Sequence, residues 1–342
     1  MKHNVSEFNF GLEGEILKLQ DELKTQAYRP GRYRHFYVKD PKRRLISAAP
    51  YRDRVVHHAF CNVIEPLFDK TFIYHSYACR AGKGTHKALD SCQKFIKTNR
   101  YVLQCDISKY FPSVNYRILL SIITRKIRDK KVMWLAELII NSVSCLTSER
   151  VGGLAGLPAY RHTGIQANPQ TGIPIGNLTS QFFANLYLNE LDYFVKFGLG
   201  EKHYLRYMDD FLIFGENKKH LHQVKEKISQ FLGSFLKLNL HSEKSAVFCV
   251  SSGVDFCGFR IFKYFRKLRK SNIMLFKKRA GKMQRDFCRQ KISVNKISQS
   301  IRAWIAHASW GNTYRLREKV MANLVFSRNC AGIEDCFDLL TG

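Results

Sequence analysis

The sequence predicts an α+β protein, built of amphipathic helices and short strands that pair as hairpins, and three observations carry that assignment. Apolar residues recur at helical spacing through long segments, as in Leu178, Phe182 and Leu186 beside Tyr187, Leu191 and Val195. Short runs rich in aromatic and β-branched residues, Tyr101 to Asp106 and His203 to Phe214, read as strands. With 342 residues, 45% of them hydrophobic, and no internal repeat, the chain can bury a sizeable core divided into two or three subdomains.

Taken in order, Leu12, Ile16, Leu19 and Leu23 set a first helix from Gly11 to about Gln26, which stops before Tyr28-Arg29-Pro30-Gly31. Arg32 to Lys39 alternates as a strand, and after Pro41 the segment Lys42 to Ile46 reads as the returning half of a cation-studded hairpin. Pro50 opens a second helix with Val55, Val56, Ala59, Phe60, Val63 and Ile64 as its buried stripe. A loop from Ser76 to His86 holds Gly82 and Gly84 ahead of a helix through Ala88, Leu89, Cys92, Phe95 and Ile96. Its amides, with Arg80 and Lys83, suit a phosphate, although the Walker spacing is absent.

The apolar strand from Tyr101 ends on Asp106, and a helix follows through Ile118 to Ile127. Periodicity is lost from Thr147 to Gln170 among glycines and prolines, so a flexible loop is expected there. Gly176 and Asn177 suit the turn and N-cap of a long helix from Leu178 to about Phe194. Another amphipathic helix runs from His220 to Leu236, and Leu238 to Lys244 and Phe256 to Ile261 read as strand and turn. From Arg260 to Lys291 thirteen Lys and Arg face a single acid, Asp286, and helices around Ile297 to Ala308 and Tyr314 to Leu324 complete a small basic helical unit.

Charge narrows the function. Fifty-six Lys and Arg against 28 Asp and Glu leave a net +28, an excess that repels itself unless a polyanion neutralises it. Nucleic acid is the leading partner and an anionic membrane the weaker one. No apolar run approaches the ~20 residues of a membrane span. Met1 to Phe8 has no apolar core of a secretory signal, so a cytoplasmic protein is expected. The ten cysteines are scattered without a C-x-x-C pair, which suits reduced, mostly buried thiols.

One stretch concentrates the chemistry. In Tyr207-Met208-Asp209-Asp210 two carboxylates sit between apolar strands, where an unpaired charge costs several kcal/mol. Alone the pair reads as an exposed acidic turn. Asp106, at the end of another strand, supplies the further carboxylate that two divalent ions about 3.5–4 Å apart would need.

The order of these segments resembles the reverse transcriptases. Arg44-Leu45-Ile46, Ser76-Tyr77 with Arg80 and Gly84, Asp106 with Phe111, Gly172 to Gln181, Tyr207 to Asp210, Lys244, and Phe256 to Phe259 look like that family's motifs in sequence, over about residues 28 to 260. Gly176 to Gln181 departs from the commoner P-Q-G…S-P pattern, with Ile175 where the Gln usually lies and Gln181 where the Pro lies. This pattern is similar to the reverse transcriptases of diversity-generating retroelements within the group II intron-like superfamily. So are the compact length, Lys42 to Ser47, and Trp304 to Ala308 with Asn312-Thr313, although Ala306 replaces the usual Gly.

The resemblance implies a right-hand polymerase fold: fingers and palm over residues 1–259, and a small basic helical thumb over 260–342. It implies an RNA-directed DNA polymerase making cDNA from a structured template RNA with dNTPs, error-prone at template adenines in mutagenic retrohoming. Asp106 and Asp209 would hold two Mg²⁺ ions, with Mn²⁺ as a substitute, supported by Asp210 and the backbone carbonyl of Ile107. Arg44 and Arg43 would lie over the incoming nucleotide, near Gln181, and Lys244 would meet pyrophosphate. Phe111 would be the steric gate against a 2′-hydroxyl, Ile175 with Arg44 would set fidelity, and Phe256, Gly258 and Phe259 would grip the primer. The family further implies a small basic, oligomeric accessory protein and a bacterial, phage or archaeal host. A retron or phage-defence enzyme and a non-catalytic RNA-binding scaffold stand as alternatives; the retained carboxylates argue against the scaffold.

Overall fold

A computed structural model describes residues 2–39, 43–142 and 170–328. The expected turn at Pro41-Lys42 and residues 147–169 of the expected loop lie outside the described residues. The chain divides into two compact units. The first comprises Met1–Gly84, Leu103–Ile213 and Lys219–Ala246; the second comprises Thr85–Val102, Phe214–Lys218 and Val247–Gly342.

The first unit opens with α1 (Lys2–Phe10) and α2 (Leu12–Lys24), where the sequence predicts one helix from Gly11. Among the residues of α1 whose burial is described, Phe8 is buried while Phe10 is 97% exposed, so no periodic stripe announces this helix. Packing fixes it instead: Phe8 joins Leu19, Tyr28 and Val56 in one cluster and meets Tyr51 edge to face. β1 (Arg34–Lys39) and β2 (Arg43–Ala48) form the expected antiparallel ribbon, in register from Arg34 opposite Ala48 to Lys39 opposite Arg43. α3 (Tyr51–Asp69) follows Pro50, and Val56, Phe60 and Ile64 of its expected stripe are buried, whereas Val63 faces out.

The four-stranded sheet has the order β4-β5-β3-β6, with β3 (Tyr101–Cys105), β4 (Tyr204–Tyr207), β5 (Asp210–Gly215) and β6 (Ala246–Cys249). After β3 come the short α5 (Tyr110–Ser113), α6 (Tyr116–Thr124) and α7 (Lys130–Asn141). Asn115 caps α6 by accepting from Ile118 N, and Asp129 caps α7 by accepting from Lys131 N and Val132 N. α8 (Leu178–Tyr193) is buried on nearly every side, including the polar Asn185 and Asp192. A helix enclosed all round is a core helix, and its buried polar groups require partners. α9 (Lys218–Phe231) continues through a π turn, Leu232–Leu236, as the predicted helix to Leu236 requires. The segment Leu238 to Lys244 is not a strand; only Leu240 bridges, to Ile107, and β6 follows it.

The second unit holds α4 (Thr85–Thr98), a sheet ordered β7-β8-β9 (Val254–Phe256, Phe259–Ile261 and Arg266–Leu268), and three helices. These are α10 (Lys270–Cys288), α11 (Val294–Ala308) and α12 (Tyr314–Ala322). Phe276 stacks on Trp304 at 4.1 Å to join α10 and α11. Among the described residues Cys61, Cys92 and Cys105 are free and buried, Cys249 and Cys257 are free and half-buried, and Cys79 is free and exposed. Among the described residues no helix is long and apolar enough to cross a membrane.

Candidate active site

The β4–β5 hairpin pairs Tyr207 with Asp210, which leaves Met208 and Asp209 as a two-residue turn. Met208 takes φ +56°, a left-handed conformation uncommon outside glycine and asparagine. Asp209 is half-buried at this tip, and Asp210, the first residue of β5, is exposed.

Asp106 follows β3, the neighbour of β5, and is 9% exposed. The loop from Leu238 is stitched beside it: His241 N donates to Asp106 O at 2.7 Å, and Ser108 N donates to Asn239 O at 2.9 Å. That stitching brings Lys244, whose ammonium donates to the Asp106 carboxylate. Asp209 is held above the ordinary carboxylate range, first by burial and further by the negative charge of Asp106. A backbone N–H, Arg44 and Lys244 pull in the opposite direction. Asp106, Asp209, Arg44 and Lys244 therefore share one electrostatic field.

Among the described residues no three His, Cys, Asp or Glu side chains converge into a metal cage. The donors present are the two carboxylates of Asp106 and Asp209. Such a set suits a hard cation like Mg²⁺, which keeps several waters and takes one or two carboxylates plus substrate phosphates. The exposed Asp210 stands outside that pair.

A single segment ties the remaining first-unit residues together. Gly172 N donates to Val114 O and Ile173 N to Phe111 O, both at 2.9 Å, and Tyr116 Oη donates to Gly172 O at 2.6 Å. Two residues on, Ser47 N donates to Ile175 O at 2.9 Å, so the ribbon strand β2 is joined to the same segment. Asn177 completes the seam: its Oδ1 accepts from Ala49 N and its Nδ2 donates to Ser47 O, each at 3.2 Å. Gly176 has φ +119°, and a Cβ there would lie 2.8 Å from Ile46 Cγ2, so no larger residue fits this crossing. Phe111 and Ile175 are half-buried, and Arg43, Arg44 and Gln181 are exposed. The Arg43 guanidinium stacks on Tyr37 at 3.9 Å. Ile107 is buried.

One expected group is placed differently. The Arg80 guanidinium donates to Asp69 Oδ1, Asp69 O, Ile73 O and Ser76 O, so it closes its own loop rather than waiting for phosphate. Phe256, Gly258 and Phe259 belong to the second unit; both rings are buried, and Gly258, at φ +86°, would clash with Asn272 if it bore a side chain.

One cluster carries no motif in the sequence. Arg206, between Leu205 and Tyr207, is 1% exposed and pairs through both Nε and Nη2 with Asp192 at 2.7 and 2.6 Å. A cation inside an apolar strand is itself a signal, because an Arg is almost never fully buried without a partner.

Residues 38–261, well over half of the chain, match the family described as reverse transcriptase (RNA-dependent DNA polymerase). Protein YkfC of Escherichia coli strain K12 is 26% identical over 188 residues, which are 53% of this chain and 45% of that protein. The group II intron-encoded protein LtrA of Lactococcus lactis subsp. cremoris is 25% identical over 186 residues, 54% of this chain and 28% of that one. The chain thus spans less than half the length of these curated relatives. Among solved structures, telomerase from Candida tropicalis in complex with a TWJ fragment of telomeric RNA matches with a TM-score of 0.50. That match has 13% identity and covers 95% of this chain and 64% of the telomerase chain, a likeness of fold and therefore of the right-hand architecture. On the extent of the first match, the chain belongs to the reverse transcriptase family.

Proposed function

We propose that this chain is an RNA-directed DNA polymerase that extends a DNA primer on a structured RNA template with dNTPs. The observation that carries this reading is the meeting of Asp106 and Asp209 from neighbouring strands, with Lys244 and Arg44 in the same field. Asp106 and Asp209 would hold the catalytic cations, with the Ile107 carbonyl as a further ligand and Asp210 as outer support. Bound Mg²⁺, or Mn²⁺ in its place, would supply charge neutralisation on the triphosphate and a lowered pKa for the primer 3′-hydroxyl.

The other residues have separate tasks. Arg44 and Arg43, exposed on the ribbon, attract the triphosphate, and Lys244, which donates to Asp106, would serve pyrophosphate. The Phe111 ring blocks a 2′-hydroxyl, which selects dNTPs. Gln181, exposed in the first turn of α8, adds a polar contact. Phe256, Gly258 and Phe259 shape the primer grip, fingers and palm extend over residues 1–259, and the basic residues 260–342 act as thumb. The net charge of +28 supports an RNA partner.

The finer reading is a diversity-generating retroelement enzyme, error-prone at template adenines. Ile175 supports it: an apolar side chain beside the Arg44 strand offers the nucleotide no polar contact, so discrimination falls. A small basic, oligomeric accessory protein belongs to this reading, as does a cytoplasmic site of action.

Primer extension on RNA with Mg²⁺ and dNTPs tests the activity. Asp209→Ala should abolish it in a protein that still melts cooperatively, and surviving extension would sink the mechanism. For the finer reading, Ile175→Gln should lower misincorporation opposite adenine; an unchanged error spectrum would remove Ile175 from fidelity.

A further inference from the structure

We infer that Arg206 is a positioning residue for Asp209, clamping the carbonyl of Met208 so that the left-handed turn holds the Asp209 carboxylate beside Asp106. The inference rests on the reading of Asp106 and Asp209 as the cation-binding pair. Arg206 carries five N–H donors in a planar fork, and each has a partner. Nε and Nη2 take the two Asp192 oxygens at 2.7 and 2.6 Å, and Nη2 also donates to Ser76 Oγ at 3.1 Å. Nη1 donates to Asn185 Oδ1 at 3.2 Å and to Met208 O at 3.0 Å. The last of these is the bond that reaches the turn.

The anchor is rigid. Asp192 and Asn185 lie on the enclosed helix α8, with Asp192 at 0% and Asn185 at 2% exposure. Tyr204 Oη donates to the same Asp192 oxygen at 2.6 Å, and Asn185 Nδ2 donates to Ala78 O at 2.8 Å. The backbone of Arg206 is fixed as well, since its N–H donates to His75 O at 2.9 Å and its carbonyl accepts from Tyr77 N at 3.0 Å. The turn itself is the weak point, because Met208 at φ +56° disfavours its own conformation. A fork that grips α8 with one side and the Met208 carbonyl with the other overcomes that preference. Asp209 is the very next residue, so any drift of the Met208 peptide moves its carboxylate.

Lysine cannot replace such a fork: it keeps the charge opposite Asp192 but offers one compact ammonium. Glycine accepts positive φ without strain. The test uses the full chain, wild type against Arg206→Lys, Met208→Gly and the two combined. Mn²⁺ binding by electron paramagnetic resonance, the Mg²⁺ dependence of primer extension, and hydrogen exchange over residues 204–215 are the readouts. Arg206→Lys should weaken Mn²⁺ binding about tenfold, as loss of a group behind a metal ligand does, and raise the Mg²⁺ requirement in parallel. Exchange at the turn should accelerate, and adding Met208→Gly should recover most of both losses.

A purely structural Arg206 would lower the melting temperature but leave Mn²⁺ affinity unchanged and unrescued by Met208→Gly, and that result overturns the clamp. Should the buried ammonium prevent folding, Arg206→Gln with Asp192→Asn fills the space without a stranded charge and is read the same way. If the wild type binds no Mn²⁺, the cation-site reading fails. Hydrogen exchange then decides the clamp alone: unaltered exchange in Arg206→Lys overturns it.

Discussion

Two ionic clusters flank the same two-residue turn, and they are built on opposite rules. Behind the turn, Asp192 and Arg206 have side chains 0% and 1% exposed, and every donor of the guanidinium is matched. At its tip, the side chains of Asp106 and Lys244 are 13% and 46% exposed, and the half-buried Asp209 adds a second negative charge to their field. A matched, dry pair makes one geometry far more favourable than any other, and it loses heavily if either partner goes. A partly wet group, in which the charge of Asp106 raises the Asp209 pKa despite Lys244 and Arg44, gains less from its own contacts. The fold thus pairs charge fully behind the turn and leaves a partly solvated group of charges at its tip.

The largest effect that would break this contrast is Asp192→Ala. It strands the Arg206 cation in the core and removes the acceptor of Tyr204. Stability should fall by about 3–5 kcal/mol, and the melting temperature by on the order of 10 °C. A fall of only a degree or two in a thermal melt would show that the rear cluster fixes nothing. Lys244→Met should come next, at about 1 kcal/mol, because this pair is half in solvent. The loss should appear only without divalent ions, since a bound cation takes over the role of the ammonium. The melting-temperature gain on adding Mg²⁺ should therefore be larger in Lys244→Met than in the wild type; an equal gain would place the cation elsewhere.

Legibility in the sequence followed the same division. The tip cluster was visible because each of its residues closes a recognisable segment: Asp106 ends an apolar strand, Asp209 sits between two, and Lys244 follows them. The hairpin, the ribbon and the long helix from Leu178 to Phe194 were equally plain, since period 2 and period 3.6 survive in the residues themselves. The rear cluster was not legible, because Arg206 finds Asp192 and Asn185 on a different element, 14 and 21 residues earlier, and Ser76 130 residues earlier, and only folding assembles them. α1 escaped for a related reason: its place depends on Phe8 finding Tyr51, Leu19 and Val56, not on a stripe of its own. The Leu238 to Lys244 segment alternates like a strand yet spends its amides on Asp106 and Leu232, so β6 begins only at Ala246.

The smallest effect is the sharpest, because its sign is opposite to that of Asp192→Ala. Burial, and then the charge of Asp106, raise the Asp209 pKa in the folded protein. An acid whose folded pKa is raised favours folding fully only below its unfolded pKa, and that contribution is lost as pH rises through the raised value. Once ionised, Asp209 is therefore a net cost to the metal-free protein. Asp209→Asn should remove it, stabilising that protein by a few tenths to about 1 kcal/mol after allowance for solvent at the open tip. The advantage of the variant should grow from mildly acid to neutral pH, following the ionisation it abolishes. Mg²⁺ should reverse the order, raising the melting temperature of the wild type more as pH rises and that of Asp209→Asn hardly at all. A variant that melts below the metal-free wild type at neutral pH would mean that Asp209 is matched after all, and the contrast between the two faces of the turn would fail.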